Sequence, residues 1–115
     1  MDEPPFAAFD VSSLEEARAE VQHRTGELYL EFLRRESMSC GLYVLEAGAD
    51  DPQEPHQEDE VYLVLAGRAQ LEVDGRDRPV GPGGVLFVAR TVPHRFHTIT
   101  ERLSVLVFFA PAETA

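Results

Sequence analysis

The chain has 115 residues, 43% of them hydrophobic, and carries 21 acidic against 10 basic side chains for a formal charge of -11. That size and composition describe one globular domain over residues 1–115 with a real core, and argue against disorder. Such an acidic surface repels phosphate backbones and anionic headgroups, so neither nucleic acid nor a membrane surface is an expected partner. A small anionic ligand stays compatible with it, because a bound cation inverts the local field.

The opening residues Met1-Asp2-Glu3-Pro4-Pro5 are acidic and lack the apolar region of a secretory signal. No apolar run approaches the ~18 residues of a membrane span. Cys40 is the only cysteine, so no internal disulfide can form, and a reducing, cytoplasmic location is expected. Cys40 sits in an apolar stretch and reads as a packed thiol rather than a nucleophile.

Residues 12–21 predict one short helix. Ser12 and Ser13 can each cap it, with Glu15 and Glu16 three residues on, and Leu14, Ala17 and Val21 make one apolar face. Gly26 ends it beyond His23 and Arg24. Then the period changes. Residues 28–33, 41–47, 61–65, 68–73, 85–88, 94–99 and 103–109 are short runs rich in β-branched and aromatic side chains. Gly48, Asp50-Asp51-Pro52, Gly67, Asp74-Gly75, Gly81-Pro82-Gly83-Gly84 and Pro93 punctuate them, and Asp74-Gly75 signals a hairpin. Strands at this spacing predict a sandwich or barrel. Residues 1–35 would pack a helix and a strand on that barrel, and Pro111 with the polar tail would end it.

Two runs, 61–65 and 103–109, are apolar on both faces. A barrel buries only one face of a strand, so the other needs cover. A second copy of the chain, giving a homodimer, is the expected cover; the short helix alone is the alternative.

The chemistry concentrates in two places. Gly48 is followed after five residues by Glu54-Pro55-His56-Gln57-Glu58-Asp59-Glu60, and after six more by Gly67; Gly83 is followed after five residues by Ala89-Arg90-Thr91-Val92-Pro93-His94. His56 and Glu60 are four apart before an apolar run, an even separation that lets both side chains share a strand face. His94 opens another strand, and a hairpin-rich barrel can bring such strand ends together. Two imidazoles and one carboxylate form a set that leaves coordination positions open for a substrate or oxygen.

These spacings resemble the two motifs of the cupin superfamily. Its first motif is Gly, five residues, His-x-His, three or four residues, Glu, six residues, Gly, and here Gly48, His56, Glu60 and Gly67 fall in register. Its second is Gly, five residues, Pro-x-Gly, two residues, His, three residues, Asn, and here Gly83 and His94 fall in register. The resemblance covers residues 41–110. It implies an all-β, double-stranded β-helix barrel, the cupin or jelly-roll form, with a short N-terminal helix added. It implies His56, Glu60 and His94 as ligands of one divalent transition metal. The chain departs from the pattern at Glu54 in place of the first histidine, Ala89 and Thr91 in place of the proline and glycine, and Thr98 in place of the asparagine. Glu54 either serves as a fourth, oxygen ligand or points to solvent; Gln53 and Glu58 are nearby competitors. With a second carboxylate, manganese, iron or nickel suits the set at least as well as zinc.

Strand alternation places Tyr62 and Val64 on the inward face with Glu60, and Phe96 and Thr98 inward with His94. These four are the expected pocket lining, around a small ligand. Val61, Leu63, Arg95 and His97 then face out, so His97 is not an expected ligand. The family resemblance implies a metalloenzyme acting on a small organic molecule, by dioxygenation or isomerisation, or else a binding or sensing module without catalysis. No catalytic residue beyond the metal set can be named from the sequence, since a fold does not choose a reaction.

Overall fold

The computed structural model describes residues 14–21, 28–51 and 55–114. Within them lie α1 (Leu14–Val21), β1 (Leu28–Arg35), β2 (Met38–Leu45), β3 (Asp59–Val73), β4 (Arg76–Val80), β5 (Val85–Val88) and β6 (His94–Ala110). The serine caps and the stop at Gly26 fall outside the described residues, as do His23, Gln53 and Glu54. No helix among the described residues is long and apolar enough to cross a membrane.

The strands run antiparallel in the order β1-β2-β6-β3-β4, with β5 also on β3. The long β3 is shared. Its Glu60–Leu63 half pairs with β5, its Ala69–Val73 half with β4, and both run against β6. Register shifts between Val64 and Gln70 let these two long strands bend across the molecule. The result is a double-stranded β-helix whose inner face buries Tyr62, Val64, Leu71, Phe96, Val105 and Phe109 in one core.

Runs 61–65 and 68–73 are therefore one strand, as are 94–99 and 103–109. The interruption at Gly67 is a bend, not an end. Gly67 has φ of +92°, and a β-carbon there would collide with the Arg102 carbonyl and Leu103 Cα of β6. Gly67→Ala is expected to cost about 1–3 kcal/mol from the left-handed backbone alone, with the collision added, and a denaturant titration of the variant reads it. Asp74 and Gly75 both have positive φ, 51° and 80°, the form that a two-residue hairpin requires. The hairpin's second strand, β4, has no hydrophobic alternation to reveal it: Arg76 to Pro79 are all exposed.

The apolar outer face is covered in part by α1. Ala17 packs with Leu42 and Val44, against Leu30, Phe32 and Leu65. The remainder forms a stripe across β5, β3 and β6. Val61 pairs with Phe87 and Phe108, and Leu63 with Val85 and Leu106. Phe87 and Val85 in that stripe are 63% and 69% exposed. Cys40 is buried, and burial pushes its thiol pKa up to about 11, so it is a packing residue with little thiolate.

Candidate metal centre

Glu60 and His94 reach the same point because their strands do. Glu60 lies near the start of β3 opposite Phe109 of β6, and His94 opens β6 opposite Val73 of β3. Curling of the two strands brings both ends of the pairing into the barrel, where Glu60 is 2% and His94 5% exposed. His56 sits on the segment just before β3. Its carbonyl accepts a 2.7 Å hydrogen bond from the Thr91 N–H, and Asp59 Oδ1 accepts one from the Arg90 N–H. The segment carrying His56 is thus stitched to the turn leading into His94. That turn uses Thr91 at φ of 65°, in the place where the family motif has glycine.

His56, Glu60 and His94 each present a ligand atom, and the three atoms lie within 4.8 Å of one another. His94 Nε2 is 2.7 Å from Glu60 Oε1, and His56 Nε2 is 4.0 Å from the same oxygen. The rings of His56 and His94 are 5.5 Å apart, and Phe109 packs edge-on against His56 at 4.9 Å.

Each donor's proton placement can be read from its neighbours. His94 Nδ1 is 2.9 Å from the Val92 carbonyl, which can only accept. The Nδ1 proton is therefore fixed, and in the neutral ring the lone pair sits on Nε2, facing Glu60. When protonated, Nε2 pairs with Glu60 Oε1 at 2.7 Å, while Glu60 Oε2 is buried without a hydrogen-bond partner. Such an orphaned buried atom is costly unless something pairs with it. Burial works against protonating His94. Glu60, the Val92 carbonyl and the charge of Asp51 outweigh it and raise the His94 pKa above the ordinary imidazole value. Two convergent imidazoles and a carboxylate with one buried, unpartnered oxygen fit a divalent transition ion.

The remaining predicted residues are distributed as follows. Tyr62, Val64 and Phe96 face inward and are 0%, 1% and 0% exposed. Tyr62 and Phe96 stack edge-to-face at 4.9 Å, and the Tyr62 ring is 6.2 Å from His94. All three inward residues belong to the buried core cluster beside the metal set. Thr98 corrects the alternation argument. It is exposed, and Ile99 takes the buried place. Thr98 has φ of 49°, and β6 slips register against β3 just beyond His97, so the strand changes face there. His97 faces Asp77 at 2.7 Å, and Arg95 turns out onto Glu72 at 3.1 Å. Glu58 is buried but turns away, accepting from the Thr114 hydroxyl at 2.9 Å.

Three residues near the site carry no sequence signal for the roles they take, Asp51 reading only as part of a turn. Asp51 is buried and accepts from the Tyr43 hydroxyl at 2.6 Å and from the Phe96 N–H at 2.9 Å, fastening β2 and β6 beside the centre. Glu113, in the polar tail, brings Oε2 to 3.3 Å from His56 Nδ1. Tyr29 lies over Gly41, where any side chain would collide with its ring, and its hydroxyl is buried without a hydrogen-bond partner. Burial, then Glu113, Glu31, Cys40 and Glu60, raise its pKa, so the phenol keeps its proton.

Comparison with known proteins agrees with this architecture. A cupin-domain family model matches residues 41–109. The chain belongs to the cupin family. It is similar to an uncharacterized protein of Streptomyces coelicolor, 48% identical over 107 residues that cover 93% of this chain and 98% of the relative. Among solved structures it resembles TT1209 from Thermus thermophilus, with a TM-score of 0.72 and 22% identity over 90% of this chain and 99% of that one. The DMSP lyase DddQ from Ruegeria pomeroyi superposes with a TM-score of 0.69 and 21% identity, over 87% of this chain and 54% of that one.

Proposed function

We propose that this cupin binds one divalent transition ion (iron, manganese, nickel or zinc) on His56, Glu60 and His94, and acts with it on a small organic molecule by dioxygenation or isomerisation. The observation that carries the reading is the convergence of His56, Glu60 and His94, whose ligand atoms lie within 4.8 Å of one another, with Glu60 Oε2 buried and without a hydrogen-bond partner. A bound ion would act as a Lewis acid on a substrate oxygen. The protein's own part is to hold the ligands: the Val92 carbonyl keeps the His94 lone pair on Nε2, and Glu60 is locked by burial. Glu54 would add a second carboxylate to the set. Tyr29 offers a protonated hydroxyl for a substrate oxygen to accept from. Tyr29→Phe removes a buried hydroxyl that has no hydrogen-bond partner, so stability is expected to hold or rise while turnover or ligand affinity falls. Reduced stability in thermal unfolding would contradict that role.

A second reading is a binding or sensing module without chemistry: Tyr62 and Phe96, the inward side chains beside the ligand set, are packed edge-to-face as core residues. Metal-loaded and metal-stripped protein, assayed aerobically and anaerobically on a panel of small carboxylates and sugars, separates the two. Turnover that vanishes on stripping and in His94→Ala supports the enzyme. A metal-dependent rise in thermal stability with one compound and no product supports the binder.

Two further proposals follow the same reading. The buried free Cys40 supports a cytoplasmic location. The stripe of Val61, Leu63, Val85, Phe87, Leu106 and Phe108 is apolar and uncharged, and suits a second copy of the chain as a homodimer interface. Light scattering tests this: a dimer that Phe87→Glu converts to a monomer supports it, and a wild-type monomer excludes it.

A further inference from the structure

His56 is the more exposed histidine of the centre, and its two ring nitrogens face different groups. Nε2 is 4.0 Å from Glu60 Oε1, while Nδ1 is 3.3 Å from Glu113 Oε2. A neutral imidazole carries one proton and one lone pair, and a carboxylate can only accept. Glu113 therefore favours the proton on Nδ1 and leaves the lone pair on Nε2, on the side of Glu60. The same division holds at His94, where the Val92 carbonyl takes the role.

Glu113 is not a loose surface charge. Its N–H donates to Ser39 Oγ at 2.9 Å, and Ser39 is fully buried. Its carbonyl accepts from Arg34 Nη2 at 2.7 Å. On one side Ala112 is buried, with its N–H on the Glu36 carbonyl at 3.4 Å; on the other the Thr114 hydroxyl donates to Glu58 at 2.9 Å. Four tethers from β1, the β1–β2 turn, β2 and the His56 segment thus seat residues 112–114 against the barrel. The carboxylate they present is three-quarters buried beside His56. Outer carboxylates and carbonyls that hold a ligand histidine fix its tautomer and ring orientation.

We propose that Glu113 is a positioning residue for His56: it sets the tautomer and orientation in which His56 Nε2 joins Glu60 and His94. The inference rests on the metal-binding reading above, and it makes the segment after β6 part of the centre. The test combines ring-nitrogen NMR of the metal-free protein, at mildly alkaline pH, with zinc affinity by chelator competition. Wild type is expected to show the Nδ1–H tautomer at His56. Glu113→Ala should shift His56 toward Nε2–H and weaken zinc about 10- to 100-fold, leaving the His94 tautomer unchanged because its partner is backbone. Glu113→Gln keeps an accepting amide oxygen and should preserve most of both properties. An unchanged His56 tautomer in Glu113→Ala, zinc affinity that does not fall, or Glu113→Gln as weak as the alanine variant would each overturn the proposal. A wild-type chain that takes up no zinc or other divalent ion would sink the metal reading instead, while the tautomer measurement still decides the role of Glu113.

Discussion

His94→Ala is expected to yield a protein that retains no divalent ion and, in its metal-free form, is about 3–5 kcal/mol less stable than wild type. The two losses have different origins. Metal binding is expected to disappear because Nε2 is the proposed ligand atom, held in place by the Val92 carbonyl. Stability falls because Glu60, 2% exposed, loses the partner at 2.7 Å that compensates its buried charge. Glu60→Gln separates the effects. A neutral amide can donate to the His94 lone pair, so the metal-free variant should unfold within about 1 kcal/mol of wild type, yet without its carboxylate it should bind metal far more weakly. Chelator competition and urea titration on the same preparations check both. Undiminished metal affinity in either variant would contradict the ligand assignment.

The same pair carries a pH signature of definite sign. The His94 pKa is raised in the folded chain, so its pairing with Glu60 stabilises the metal-free protein at low pH. The contribution is complete below the ordinary imidazole value of about 6.5, and is lost as pH rises through the raised value. Metal affinity runs the opposite way. Proton and ion compete for Nε2, so affinity falls as pH drops through that raised value.

Asp51→Ala is expected to be the most destabilising change outside the metal set. The substitution strands two buried donors at once, the Tyr43 hydroxyl and the Phe96 N–H. At about 1–3 kcal/mol for each unsatisfied group, the loss is a few kcal/mol, visible as a lowered urea midpoint. Asp51→Asn retains an accepting oxygen for one of the two and should lose roughly half as much. Because Asp51 fastens Phe96 two residues beyond His94, the alanine variant should also weaken metal binding.

What could be read from the sequence divides along physical lines. Regular alternation and turn chemistry are local, so the run 85–88 is β5 and Asp74-Gly75 is the hairpin turn. The convergence of His56, Glu60 and His94 is legible because their spacing puts them at or just before strand ends that the barrel brings together. Thr98 was misplaced because alternation assumes a regular strand, and β6 bends where Thr98 adopts positive φ. β4 was missed because an exposed edge strand needs no hydrophobic pattern. Asp51 holds Tyr43 and, 45 residues away, Phe96, and Glu113 faces His56 on a segment before β3, through hydrogen bonds and charge that leave no periodic trace. The C-terminal tail looked like a domain end, yet Ala112 is buried and Glu113 faces the centre.

Elemental analysis of protein purified without added metal or chelator, joined to anomalous scattering that locates the ion in a crystal, decides whether His56, Glu60 and His94 hold a metal. One first-row divalent metal per chain, bound by His56, Glu60 and His94, is the expected result. Protein that is metal-free and stays so when offered manganese, iron, nickel or zinc, or that holds its ion elsewhere, would contradict it.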